Sequence, residues 1–97
     1  MVVLNTRYIG KGVAELVKYI DKCLDAGGFP IVVTRYAGAR IRGPDGTPAV
    51  VVRCFGRREQ VPGGVIYGLP EDVIKKAEEF VGDWKWILAE YGHLVED

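Results

Sequence analysis

Six arginines, Arg35, Arg40, Arg42, Arg53, Arg57 and Arg58, form the densest set of chemistry-bearing side chains in this 97-residue sequence. Every cation between residues 35 and 58 is an arginine, and a single acid, Asp45, stands against them. A guanidinium presents a planar fork of donors that fits a phosphate or a carboxylate better than an ammonium does. The pattern therefore points to the phosphates of a nucleic acid or to an acidic protein partner. A third use is internal, with the same arginines facing the acidic C-terminal helix of their own chain. Residues 59–97 hold nine acids against three lysines, so the formal net charge of 0 conceals strong segregation.

Other chemistries are thinly supplied. There is no serine, and His93, near the C-terminus, is the only histidine. Ser-His and metal-His arrangements are nearly excluded by that count, which leaves a Cys-His pair open. Cys23 and Cys54 are too far apart in sequence for a CxxC motif, and each lies in an apolar run. They are expected to pack in the core rather than to hold a metal or form a disulfide. No cofactor and no metal site is expected.

At this length the chain is expected to be one domain, residues 1–97, with a modest core that oligomerisation would reinforce. An apolar share of 48% with 27% charged residues is ordinary for a globular protein. No apolar run reaches the roughly 18 residues of a membrane span, and the start of the chain lacks the pattern of a secretory signal. A soluble, cytoplasmic protein is the expectation. One Asn, one Gln and one Met beside many Val, Ile, Arg and Glu resemble the usage of a heat-adapted protein.

The elements that must position these residues can be read from spacing. Scattered β-branched and aromatic residues predict a short strand over 2–9, broken by Gly10-Lys11-Gly12. Leu16, Val17, Ile20, Cys23 and Leu24 recur at helical spacing over 13–26, and Gly27-Gly28 closes that helix. Strands are predicted over 29–36, 39–42 and 48–55, with a type I turn and bulge at Pro44-Asp45-Gly46-Thr47. Residues 56–64 read as an exposed loop, followed by the apolar patch Val65-Ile66-Tyr67. Pro70, Glu71 and Asp72 mark the start of a second helix whose buried face is Val73, Ala77, Phe80 and Val81. Two Trp and an Ile after the Gly82 break are read as a closing strand over 84–89.

Gly28-Phe29-Pro30-Ile31-Val32-Val33, the step from Arg35 through Tyr36-Ala37-Gly38 to Ile41, and the segment 77–90 with Gly82, Lys85, Ile87, Leu88 and Ala89 together resemble the C-terminal domain of archaeal tRNA-splicing endonucleases. The resemblance covers about 75 residues and rests on short, mostly apolar motifs. It implies an α/β fold of restriction-endonuclease type, a mixed sheet flanked by two helices. That family cleaves RNA without metal, using a tyrosine, a histidine and a lysine. Only the lysine has a counterpart here, Lys85; Ile41-Arg42-Gly43 stands where the tyrosine should be, and residues 45–52 contain no histidine. The implied role is that of a non-catalytic structural subunit, docked on a catalytic endonuclease subunit or on a second copy of itself. In that family acidic loops enter basic pockets of a neighbour, and Glu90, Glu96 and Asp97 are candidates for such contacts. Trp84, Trp86 and Tyr91 are expected to bury surface against the partner or the core.

Lys11-Gly12-Val13-Ala14-Glu15 and Pro44-Asp45 also resemble the first two pieces of the metal site of archaeal Holliday-junction resolvases. The third piece, Glu-x-Lys on the next strand, has no counterpart, and Asp45 fits better as a turn residue. Residues 8–41 are similar to the opening of the Alba chromatin family, although the 44–46 turn stands where its second helix should be. The alternatives to a docking subunit are therefore two. In the first, a nucleic-acid-binding protein, Arg35, Arg40, Arg42, Arg53, Arg57 and Arg58 contact RNA or DNA phosphates while Tyr36 or Phe55 stacks on a base. In the second, an active nuclease, the work would fall to Glu15, Tyr36, Asp45 and Lys85.

Overall fold

Leu16, Val17, Ile20 and Cys23, spaced three and four apart, put one apolar face on the first helix, and all four are fully buried. In the computed structural model, which describes residues 6–56 and 63–95, that helix is α1, Val13–Asp25. It follows strand β1, Thr6–Lys11, and precedes β2, Phe29–Val33. A short hairpin comes next, β3 (Arg35–Tyr36) and β4 (Ala39–Arg40), then β5 (Ala49–Phe55) and β6 (Gly63–Tyr67). Helices α2 (Glu71–Glu79) and α3 (Lys85–Tyr91) and a 3-10 turn at Gly92–Val95 end the described chain.

The fold is mixed α/β. Four strands form one sheet in the order β1-β6-β5-β2. β1 pairs parallel with β6, whereas β6 with β5 and β5 with β2 are antiparallel. Alternation along β5 sends Val50, Val52 and Cys54 to one face and Ala49 and Val51 to the other. The first set joins α1, Val73, Ile74 and Ala77 of α2, and Ile87 of α3 in the main core. All three α-helices among the described residues thus pack on one face of the sheet. The opposite face holds a smaller cluster, Ile41, Ala49 and Val51, with Val33, Tyr36, Val65 and Tyr67 packed against it. Ile41 and the 43–48 turn cover one end of that face, where Gly43 lies so close that a Cβ on it would stand 2.4 Å from Tyr67 Cβ.

Two expectations are corrected here. The closing strand over 84–89 is instead helix α3, so the sheet is completed by β1 from the N-terminal end, and three helices replace the two expected. Trp84, Ile87, Leu88 and Tyr91 fall at i, i+3, i+4 and i+7, the apolar stripe of a helix, and all four pack in or on the main core. The Asp83 carboxylate accepts a hydrogen bond from the Lys85 backbone N–H at 3.0 Å, satisfying a donor that has no partner within the helix. Short length, together with the β propensity of Trp and Ile, obscured that spacing.

The second correction concerns the cysteines. Cys23 in the last turn of α1 and Cys54 in β5 are joined by a disulfide, their Cα atoms 5.7 Å apart. Helix α1 ends in a Schellman motif: the Gly28 N–H donates to Cys23 O and the Gly27 N–H to Leu24 O, with Gly27 at φ 78°. Gly28 is then pressed against the sulfurs, since a Cβ there would lie 2.3 Å from Cys54 Sγ and 3.0 Å from Cys23 Sγ. Core burial and bonding therefore coincide, and nothing in the sequence spacing distinguishes the two. Disulfides persist in oxidising environments and in intracellular proteins of hyperthermophiles.

The bridge spans a sequence separation of 31 residues. Closing a loop of that size removes about 3–4 kcal/mol of unfolded-state freedom. The Cys23→Ala/Cys54→Ala variant is expected to lose about that much stability in guanidinium melts. Equal midpoints for the variant and the oxidised wild type would show that the tether contributes nothing.

Candidate nucleic-acid interface

Among the described residues, the end of the sheet away from the 43–48 turn is built by β2 and β5. Phe29 pairs with Phe55, and Ile31 with Arg53, across the antiparallel ladder. All four side chains point away from the helices, because their neighbours Pro30, Val32, Val52 and Cys54 point toward them. Directly opposite residues on a ladder have Cβ atoms about 5 Å apart, so the two Phe side chains leave the sheet from adjacent points. Phe29 is 57% exposed and Phe55 43%, unusual for large apolar side chains on a sheet. The Arg53 guanidinium lies over the Phe55 ring, 5.5 Å from its centroid, and remains exposed. Ile9 of β1, 60% exposed, extends the same face two strands away.

Charge sorts by layer. Residues 29–56 carry Arg35, Arg40, Arg42 and Arg53 against Asp45 alone, while helix α2 carries four acids against two lysines. The six arginines nevertheless have different fates. Arg40 donates to both carboxylate oxygens of Glu78 in α2, at 3.0 and 3.4 Å, and Arg35 Nη2 lies 3.8 Å from the same group. The internal use of the arginines therefore holds for these two. Arg42 donates to Gly46 O at 2.9 Å and braces the turn. Arg53 faces the exposed aromatic pair, and Arg57 and Arg58 lie outside the described residues.

The residues expected to dock a partner lie on the helical side. Trp84, Trp86 and Tyr91 are partly buried against the main core. Trp86 packs on Phe80, ring centroids 6.5 Å apart, and takes the Lys76 ammonium 5.5 Å from its own centroid. Lys76 also bonds Glu90 at 2.6 Å, so Glu90 is occupied within the molecule. Glu96 and Asp97 lie outside the described residues.

Nothing brings the nuclease candidates together. Lys85 is exposed at the start of α3, and Glu15 sits in the first turn of α1, both on the helical side. Tyr36 packs against the small cluster on the other face. Asp45 is the turn residue its neighbours suggest: it accepts from the Thr47 hydroxyl at 2.6 Å and the Thr47 backbone N–H at 3.0 Å. The Gly46 N–H donates to Gly43 O at 3.0 Å, and Gly46 takes φ 81°, as a type I turn with a bulge requires. Among the described residues no three His, Cys, Asp or Glu side chains are placed to hold a metal. No described helix is long and apolar enough to cross a membrane.

The exposed pair Phe29 and Phe55 was only half legible: Phe55 stands out as an aromatic near arginines, whereas Phe29 reads as the first residue of a buried strand. Strand parity relative to Pro30 and Val32 would have placed it outward.

The Thr47 hydroxyl and then its backbone N–H hold the Asp45 carboxyl below the usual aspartate range. A depressed native value means the turn is supported above the unfolded value and loses that support as pH falls through the native one. NMR titration is expected to show Asp45 as an acid-shifted carboxyl that moves back up in Thr47→Ala; an unmoved midpoint would remove the hydroxyl as cause.

Comparison with protein-family models, with curated proteins and with solved structures finds no match to this chain.

Proposed function

We propose that this chain is a non-catalytic nucleic-acid-binding module that takes single-stranded RNA or DNA on the face of the sheet that the helices leave open. The observation that carries the reading is the exposed pair Phe29 and Phe55, opposite each other across β2 and β5, with the Arg53 guanidinium over the Phe55 ring. Bases have flat apolar faces that stack on exposed aromatics, and a neighbouring guanidinium can add a phosphate contact or a stacking plane. A duplex hides its base faces, so the pair favours single strands. Its position supports the reading further: the β5–β6 connection that follows Phe55 carries Arg57 and Arg58.

A second reading, the structural subunit that docks an RNA-cleaving partner, draws on the apolar surface at the α2–α3 connection, where Val81 is 74% exposed and Phe80 41%. The splicing-endonuclease setting itself rests on the sequence resemblance. That connection borders the same strand as the aromatic pair: the Gly82 N–H donates to Val32 O of β2 at 2.9 Å.

Fluorescence anisotropy with labelled 12-nucleotide RNA and DNA strands and the matching duplexes tests the proposal. Single strands are expected to bind more tightly than duplexes, with log affinity falling by about 0.7 per contacted phosphate for each unit of log salt. Phe29→Ala and Phe55→Ala are each expected to weaken single-strand binding by about 1–3 kcal/mol while far-UV circular dichroism stays unchanged. Folded variants that bind as well as wild type, or a wild type that binds no strand, would refute it.

A further inference from the structure

The β3–β4 hairpin places two like charges directly opposite each other. Arg35 pairs with Arg40 across its two-residue strands, and the Ala37-Gly38 tip is left-handed at both positions, φ 51° and 82°. Opposed like charges on a ladder are unfavourable, and a non-glycine residue in the left-handed region is strained. Both guanidinium groups converge on one carboxylate, Glu78, whose side chain is 25% exposed. Two cations around one anion leave a formal excess of +1. This is the arrangement of an anion fork already occupied by a group from the same chain.

We propose that Arg35 and Arg40 form a phosphodiester site that Glu78 masks, so that a nucleic-acid strand must displace an internal carboxylate to reach it. The proposal rests on the binding reading above and adds its regulation. Arg40 is 44% and Arg35 52% exposed, so the ion pairs are weak enough to exchange. Arg40 Nη2 alone reaches both Glu78 oxygens, and a phosphate oxygen can accept from the same guanidinium N–H in place of the carboxylate. The two arginines follow β2 in sequence: five residues, the last a bend at Thr34, separate Arg35 from Phe29, a chain distance of at most about 20 Å. A strand of several nucleotides anchored on Phe29 and Phe55 can span that distance, within the usual reach of about 4–16 nucleotides for single-strand sites.

The test compares wild type, Glu78→Gln, Glu79→Gln and Glu78→Gln/Arg35→Gln/Arg40→Gln, using 12-nucleotide and 3-nucleotide single strands. Glu79→Gln makes the same change in net charge from the neighbouring position on α2 without releasing the fork. Glu78→Gln is expected to tighten the 12-nucleotide strand about two- to fivefold, with a salt slope steeper by about 0.7, and to leave the 3-nucleotide strand unchanged. The triple variant is expected to lose that gain. An equal gain in Glu79→Gln, or none in Glu78→Gln, overturns the masking. If wild type binds no strand, the Phe platform fails, and inorganic phosphate followed on the Arg35 and Arg40 Nε–H NMR signals still decides the fork. Shifts at lower phosphate in Glu78→Gln than in wild type support it, and identical titrations in the two proteins overturn it.

Discussion

One-sided burial governs this molecule. Val50, Val52 and Cys54 of β5 and Val32 of β2 meet α1, α2 and α3 on a single face, and that contact supplies the main core. A strand cannot send every second side chain into a helical layer without sending the others away from it. Phe29, Arg53 and Phe55 are outward because Pro30, Val52 and Cys54 are inward. On the outward face the small cluster around Ile41, Ala49 and Val51 is roofed at one end by the hairpin and turn, which leaves the other end to the aromatic pair.

The disulfide ties this layering to the candidate surface. Cys54 immediately precedes Phe55, and Gly28, packed against both sulfurs, immediately precedes Phe29. The covalent link between α1 and β5 therefore lies beneath the two exposed rings and fixes the backbone from which both project. Presenting large apolar rings to solvent carries an aggregation risk, and a rigid backbone under them limits that risk to a small patch.

Much of the architecture was legible. Helical spacing and a Gly-Gly stop define α1 almost to the residue, the Pro-Asp-Gly-Thr turn has the geometry its residues demand, and Pro70 with two acids introduces α2. Its expected buried face holds for Val73 and Ala77 but not for Phe80 and Val81, which lie past the end of the helix at Glu79 and are exposed. Strand β6 stood only as an apolar patch because Gly63 and Gly64 read as loop. In fact Gly64 lies against the Tyr19 ring, where a Cβ would come within 3.0 Å, so that glycine serves packing rather than turning. Helix α3 reads locally as a strand because the β propensity of Trp and Ile outweighs a seven-residue spacing. The arginine-rich stretch was visible as charge, but its division into Arg35 and Arg40 held by Glu78, Arg42 held by the turn and Arg53 left at an aromatic pair depends on tertiary placement. Pairing between residues 38 positions apart leaves no local trace.

The most direct test of the account is a backbone amide map by NMR as a single-stranded oligonucleotide is added. Shifts concentrated at Phe29, Ile31, Arg53 and Phe55, with the solvent face of α1 around Lys18 and Lys22 undisturbed, are the expected result. Shifts centred on the helical layer, or none on β2 and β5, would contradict the claim that the uncovered face of the sheet is the working surface.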